Sequence, residues 1–214
     1  MYHILDTETA SLQGGVCEIA WLVVDDELNV LDTYYSRVNP ERPIEPGAQA
    51  VHGISDADVA GCPTLAEVAK LLDKPIKLIA HNSQFDRRMI EPSIKVESEL
   101  CTLALARQHI TGTTNHKLST LAAHIGVDNG KAHNALYDVE MVRQVLLHVK
   151  QSTGVDVASL FARRADPKML HKMPFGKYKG HMVASMPSDY KKWLLKQPGL
   201  DQDVRYTLTK MKGI

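Results

Sequence analysis

Tyr2-His3-Ile4-Leu5-Asp6-Thr7-Glu8-Thr9 is the stretch that decides the fold. An apolar run ending in carboxylates reads as a central strand, residues 2–6, whose C-terminal end opens into a site. Asp6 and Glu8 are two apart, so on a strand both side chains leave the same face. Two carboxylates on one face repel each other and lose hydration unless a cation sits between them. Taken alone, the pair could equally be a frayed strand end with solvated acids.

Working outward, residues 17–24 and 28–38 read as the next two strands, with Asp25-Asp26-Glu27 as the hairpin turn between them. Pro40, Pro43 and Pro46 mark an irregular crossing. Ser55 is an N-cap for a short helix at about 56–60, and Pro63-Thr64 opens another to about residue 73. Residues 76–80 form a fourth strand that delivers His81 and Asp86 to a following helix. Helices are expected at about 102–109, 117–125, 134–151 and 156–164, the second of them stopping before Gly126. Beyond Arg163-Arg164-Ala165-Asp166-Pro167, a small hairpin over 173–184 precedes helices near 187–197 and 201–211.

Two further blocks accompany the first. His81-Asn82-Ser83-Gln84-Phe85-Asp86 follows the fourth strand, and His133-Asn134-Ala135-Leu136-Tyr137-Asp138 opens the long helix. Asp86 could simply complement a helix N-terminus. His81 and Asn82 suit loop positioning by hydrogen bonds, and Phe85 would pack beneath the site. Asp138 should face inward beside Leu136 and Val139, where an unpaired aspartate is expensive and a metal ion would satisfy it. His133 precedes the helical register, and a histidine that titrates near neutrality suits a general base. Three carboxylate-bearing segments and one histidine are the parts needed to hydrolyse a phosphodiester with hard divalent cations.

Asp-x-Glu, then His-Asn-x-x-Phe-Asp, then His-x-Ala-x-x-Asp, in this order, resembles the DEDDh class of 3′→5′ exonucleases within the proofreading-exonuclease superfamily. Leu12-Gln13-Gly14-Gly15, Glu18-Ile19-Ala20, Val51-His52-Gly53-Ile54 and Cys101-Thr102 support the resemblance, as does Phe175-Gly176-Lys177-Tyr178-Lys179-Gly180 in the tail. The class implies an α/β, ribonuclease H-like fold: a mixed central sheet, three antiparallel strands and then parallel ones, flanked by helices. A small C-terminal α+β extension would follow, dividing the chain into an exonuclease domain at 1–165 and a basic extension at 166–214. The resemblance makes Asp6, Glu8, Asp86 and Asp138 the ligands of two Mg²⁺ ions, with Mn²⁺ as a substitute, and His133 the general base. It makes the Thr7 backbone amide a contact for the terminal nucleotide and Leu12 a wedge against the terminal base, with Gln13, Asn82 and Phe85 also lining the substrate. Asparagine at 134, where a tyrosine class would want tyrosine, assigns the chain to the histidine class and leaves Tyr137 without that role. Ala10-Ser11 stands where the class commonly has Thr-Gly, which puts the detailed loop shape in question.

Bulk properties agree with such an enzyme. The 214 residues suffice for one substantial domain with an appendage, and no apolar stretch approaches the length of a membrane span. Met1-Tyr2-His3-Ile4-Leu5 lacks the basic and long apolar regions of a secretory leader. Cys17, Cys62 and Cys101 form no Cys-x-x-Cys arrangement, which argues against zinc and a disulfide framework and fits the cytoplasm. Net charge is zero but divided: residues 1–162 carry 13 basic and 21 acidic side chains, and 163–214 carry 12 and 4. An acidic body that needs cations, joined to a basic tail, suits a polyanion such as single- or double-stranded DNA with a 3′ end; the tail alone could equally be a solvated lysine-rich surface on a small subdomain. RNA trimming of the oligoribonuclease or ribonuclease T kind is the alternative chemistry, and a non-catalytic nucleic-acid-binding module the alternative class. The helix-rich surface permits a homodimer without requiring one.

Overall fold

The computed structural model describes residues 1–127, 133–162, 169–197 and 200–211. The chain forms two compact units, Met1–Ala162 and Arg163–Ile214. The first is built on a five-stranded sheet of order β3-β2-β1-β4-β5. Its centre is β1 (Tyr2–Ser11), which runs antiparallel to β2 (Gly14–Val24), itself antiparallel to β3 (Val30–Arg37). On the other side β4 (Ile76–Ala80) runs parallel to β1, and β5 (Val96–Cys101) parallel to β4.

Side-chain alternation along β1 sorts its residues between two layers. Ile4 joins Ala20, Leu22, Val24, Ile79 and Leu100 on the face covered by Val139, Val142 and Leu146 of a long helix, α7 (Ala135–Thr153). Leu5 joins Ile19, Trp21, Leu78 and Ala80 on the opposite face, with Met89 and Ile90 of α4 (Ser83–Ile90). Continuing the period of two, Asp6 and Glu8 point to the α7 layer and Thr7 to the α4 layer. That alternation is what distributes the site.

Several elements differ from the sequence expectations. β1 does not stop at residue 6 but continues to Ser11, with a bulge between Glu8 and Thr9. The proline-rich crossing contains a helix, α1 (Pro46–His52), with Pro46 in its first turn, where a missing N–H costs nothing. It docks on the extended end of β1: the Glu45 amide donates to the Ala10 carbonyl, and Ala10, Cys17, Ile44, Ile54 and Val59 form a small core. α2 (Asp56–Val59) starts where expected, the Asp58 carboxylate accepting from the Ser55 amide and hydroxyl. The helix after Thr64 is α3 (Leu65–Ala69), shorter than expected. β5, Val-Glu-Ser-Glu-Leu-Cys, carries too many polar residues to read as a strand and is supported by its pairing with β4. α5 (Thr102–His109), α6 (Leu118–His124) and α8 (Val157–Ala162) match the periodicity. Leu136, expected to face inward with Asp138, is exposed.

The C-terminal unit has its own core of Met173, Val183, Met186, Leu194, Val204 and Leu208. The expected hairpin over 173–184 is reduced to one antiparallel bridge, Lys172 to Met182, followed by a 3₁₀ turn at Val183–Ser185. α9 (Ser188–Leu195) and α10 (Gln202–Lys210) complete it, with the Asp201 side chain accepting from the Val204 amide as the cap of α10.

Candidate active site

β1 and α7 bring three donors together. Ligand atoms of Glu8, His133 and Asp138 lie within 4.8 Å of one another. Asn134 caps α7, its side chain accepting from the Tyr137 amide at 3.3 Å, so Asp138 falls in the first turn and turns inward, 8% exposed. His133 sits just before the cap, exposed and at φ 66°, which bends its backbone out of helical register. Tyr137 is half exposed.

Asp86 arrives from the other layer. It lies in the first turn of α4, 3% exposed, and Oδ1 accepts from the Thr7 amide at 3.1 Å and the Thr7 hydroxyl at 2.9 Å. The Thr7 amide, expected to meet the terminal nucleotide, therefore holds Asp86 in this structure. His81 braces the preceding loop, its ring nitrogens reaching the Thr102 hydroxyl at 3.1 Å and the His116 carbonyl at 2.9 Å. Asn82 is exposed at φ 76° at the start of α4.

Burial raises the proton affinity of all four carboxylates, and neighbouring acidic charges add to it. Burial pushes Glu8 up to about 8, with Asp138, Glu18 and Asp86 adding to it. Burial likewise lifts Asp86 to about 7 against the opposing Thr7 hydrogen bonds, and Asp138 to about 6 against the pull of His133. Asp6 is raised by burial and by the charges of Asp86, Asp138, Glu8 and Glu18. A cluster of this kind is stable at neutral pH when cations replace the missing protons. The donor set is mainly carboxylate oxygen, which fits hard divalent ions such as Mg²⁺ or Mn²⁺ rather than zinc.

The loop between β1 and β2 carries Leu12, 74% exposed, and Gln13, whose amide donates to the Ser11 hydroxyl. Leu12 does not fold back onto the core. Arg88 of α4 donates to the Leu12 carbonyl at 3.1 Å and lies 5.6 Å from the Phe85 ring centre. Phe85 packs against the α4-side core, beneath this loop's anchor. Sequence reasoning overlooked Arg88, and it overlooked a role for Glu18. Glu18 is 2% exposed opposite Glu8 on β2, and accepts from the Ala135 amide at 2.8 Å and the Tyr35 hydroxyl at 2.7 Å. The available signal was a lone charge inside an otherwise apolar strand, which requires partners.

The Exonuclease family profile matches residues 3–146. Exodeoxyribonuclease 10 of Escherichia coli K12 is 31% identical over 216 residues, spanning 97% of each chain. The chain belongs to the Exonuclease family. It is also 32% identical to DNA polymerase III subunit epsilon of Haemophilus influenzae, over 67% of this chain and 65% of that one. Among solved structures, exonuclease X in complex with 5′ overhanging duplex DNA superposes with a TM-score of 0.66 at 31% identity, covering 76% of this chain and 98% of that one. E. coli exonuclease I with a dT13 oligonucleotide gives 0.64 at 18% identity, a likeness of fold, over 72% of this chain and 41% of that one. The sheet order and flanking helices are the ribonuclease H-like fold. Residues 168–201 separately match a family described as "Putative quorum-sensing-regulated virulence factor". Among the described residues, no helix is long and apolar enough to cross a membrane.

Proposed function

We propose that this protein is a divalent-metal-dependent 3′→5′ exodeoxyribonuclease that removes nucleoside 5′-monophosphates from the 3′ end of DNA. The observation that carries the reading is the convergence of Glu8, His133 and Asp138 within 4.8 Å, on a strand that also presents Asp6 and beside an Asp86 fixed by Thr7. Asp6, Glu8, Asp86 and Asp138 would hold two cations. Such ions supply Lewis acidity toward the scissile phosphate and make water a better acid.

The chain's own residues do the rest. His133, exposed and unconfined by the helix, accepts the proton from the attacking water at a ring nitrogen. Thr7 keeps Asp86 oriented through two hydrogen bonds to one carboxylate oxygen. Leu12 presents an apolar surface on which a terminal base can stack whatever its identity. Gln13, Asn82 and Phe85 would line the approach, and Arg88 fixes the loop that carries Leu12 through its bond to the Leu12 carbonyl. The identity with exodeoxyribonuclease 10 along nearly the whole chain favours DNA over RNA.

The test is digestion of matched 3′- and 5′-labelled single-stranded DNA, duplex DNA and RNA with Mg²⁺, alongside EDTA, Asp6→Ala and His133→Ala. Stepwise loss from the 3′ end of DNA, abolished by EDTA and by Asp6→Ala and reduced at least a hundredfold by His133→Ala, is expected. Metal affinity of His133→Ala should match the parent, which separates a base from a ligand. Preference for RNA would move the reading to 3′-end trimming of RNA. Binding without cleavage in every metal would overturn it.

A further inference from the structure

We propose that the C-terminal unit is a second binding surface for single-stranded DNA, on which Trp193 stacks against bases while Lys177, Lys179, Lys192 and Lys196 meet phosphates. The catalytic reading supplies only the identity of the polymer; the surface stands on its own geometry. Tyr178, Tyr190 and Trp193 form a continuous aromatic row. Tyr178 and Tyr190 have ring centres 4.7 Å apart, and Tyr190 and Trp193 stack at 5.4 Å with 26° between planes. The two tyrosines are partly buried against the unit's core, whereas Trp193, at the end of the row, is 52% exposed. Its neighbour Leu194 fills the core, so the register of α9 turns the tryptophan outward.

The loop bearing the lysines is built onto this row. Gly176 adopts φ 73°, and a Cβ there would lie 3.3 Å from the Tyr190 hydroxyl, so glycine permits the loop to close over that ring. Lys177 then sits 5.5 Å from the Tyr178 ring centre. Lys177, Lys179, Lys192 and Lys196 are all exposed, and among the described residues no carboxylate forms a salt bridge with them. Lys191 differs: it is buried and donates to the Ala184 carbonyl, fixing α9 to the preceding turn. Residues 163–214 carry eight more cations than anions, on a chain whose remainder is equally negative. A solvated lysine surface needs no exposed indole, and an apolar docking face needs no ring of cations. Stacking platforms combined with phosphate contacts use both, without reading sequence.

The experiment uses the full chain in EDTA, so that nothing is hydrolysed. Its two tryptophans are Trp21, buried and stacked 4.2 Å from Tyr34, and the exposed Trp193. Titration with oligo(dT) should quench tryptophan emission. Trp193→Phe should abolish the quench and keep most of the affinity measured by anisotropy of labelled DNA. Trp193→Ala should weaken binding by about tenfold or more. The combined Lys177→Ala, Lys179→Ala and Lys192→Ala protein should bind with a salt slope shallower by about 2. Hydrolysis of a dinucleotide by Trp193→Ala, measured with Mg²⁺, should equal the parent's. Absence of any quench, or parental affinity in both the Trp193→Ala and the lysine variants, would overturn the proposal. Equal binding of poly-glutamate would also overturn it by removing the stacking component. A quench without hydrolysis of any substrate would sink the catalytic reading and leave this one standing.

Discussion

At the scale of single residues, the site is a problem in negative charge, and Glu18 and the four carboxylates solve different parts of it. Glu18 has no role in the expected ligand set, yet it is buried and saturated by the Ala135 amide and the Tyr35 hydroxyl. Ala135 is the first residue of α7, so its amide is one of the donors a helix leaves unsatisfied, and a carboxylate there also complements the helix dipole. Glu18 therefore anchors the turn bearing His133 and Asp138 to the strand opposite Glu8. Glu18→Ala should cost about 3 kcal/mol in chemical denaturation. Glu18→Gln, which keeps the shape but one good acceptor, should lower kcat about tenfold or more with little change in KM; parental kcat would remove the positioning role. The proposed ligand carboxylates have raised proton affinities, so the folded protein without metal binds protons that the unfolded chain has already released. Unfolding free energy then falls as pH rises from about 4, the ordinary carboxylate range, through the values near 6, 7 and 8 for Asp138, Asp86 and Glu8. Melting in EDTA should drop across that window, and Mg²⁺ or Mn²⁺ should raise the midpoint more at pH 8 than at pH 5. A flat or rising profile in EDTA would mean that these groups are not buried together in solution.

At the scale of elements, the site is made by the middle of β1 and the start of α7. The shared face and the approximate helix start were visible in the residues: carboxylates two apart on a strand share a face, and an amphipathic run begins near residue 134. What the residues did not disclose was the length of β1, because Thr9-Ala10-Ser11 has no strand pattern of its own and is held by β2 and by the Glu45 amide. β5 and α1 were illegible for a related reason. Glu97 and Glu99 are tolerated because pairing with β4 sets the backbone, and Pro46 in a first turn looks the same in a sequence as Pro46 in a loop. The Thr7 bond to Asp86 is likewise tertiary, since it joins residues that only the meeting of β1 and α4 brings together. α7 offers the cleanest test at this scale. Asn134→Ala removes the cap and should cost about 1 kcal/mol. Because the same turn orients His133 and Asp138, activity should fall by more than the stability loss explains, whereas Gly there, a tolerated cap, should restore most of both. Equal activity in the alanine variant at full folding would show that Glu18 alone fixes the helix start.

At the scale of the whole molecule, the two units differ in how they can be stabilised. Every expected ligand lies in Met1–Ala162, which has a sheet with cores on both faces. The C-terminal unit spans 52 residues, and six buried apolar side chains form its core among the described residues, a size at which one core gives little margin. Cations that bind only the folded N-terminal unit should therefore raise its midpoint and leave the other's unchanged. The tryptophans make the two readable in one chain. In a Trp193→Phe protein, emission comes from Trp21 alone, which stacks on Tyr34 within the first unit. A hundredfold excess of Mg²⁺ or Mn²⁺ over its dissociation constant should lift the Trp21 transition by roughly 5–10 °C. The far-UV transition that is insensitive to metal should in turn be the one lowered by Leu208→Ala, a cavity in the C-terminal core. If metal and Leu208→Ala both displace the Trp21 transition, the two cores fold as one cooperative unit, and the charge division between body and tail then describes one surface rather than two modules.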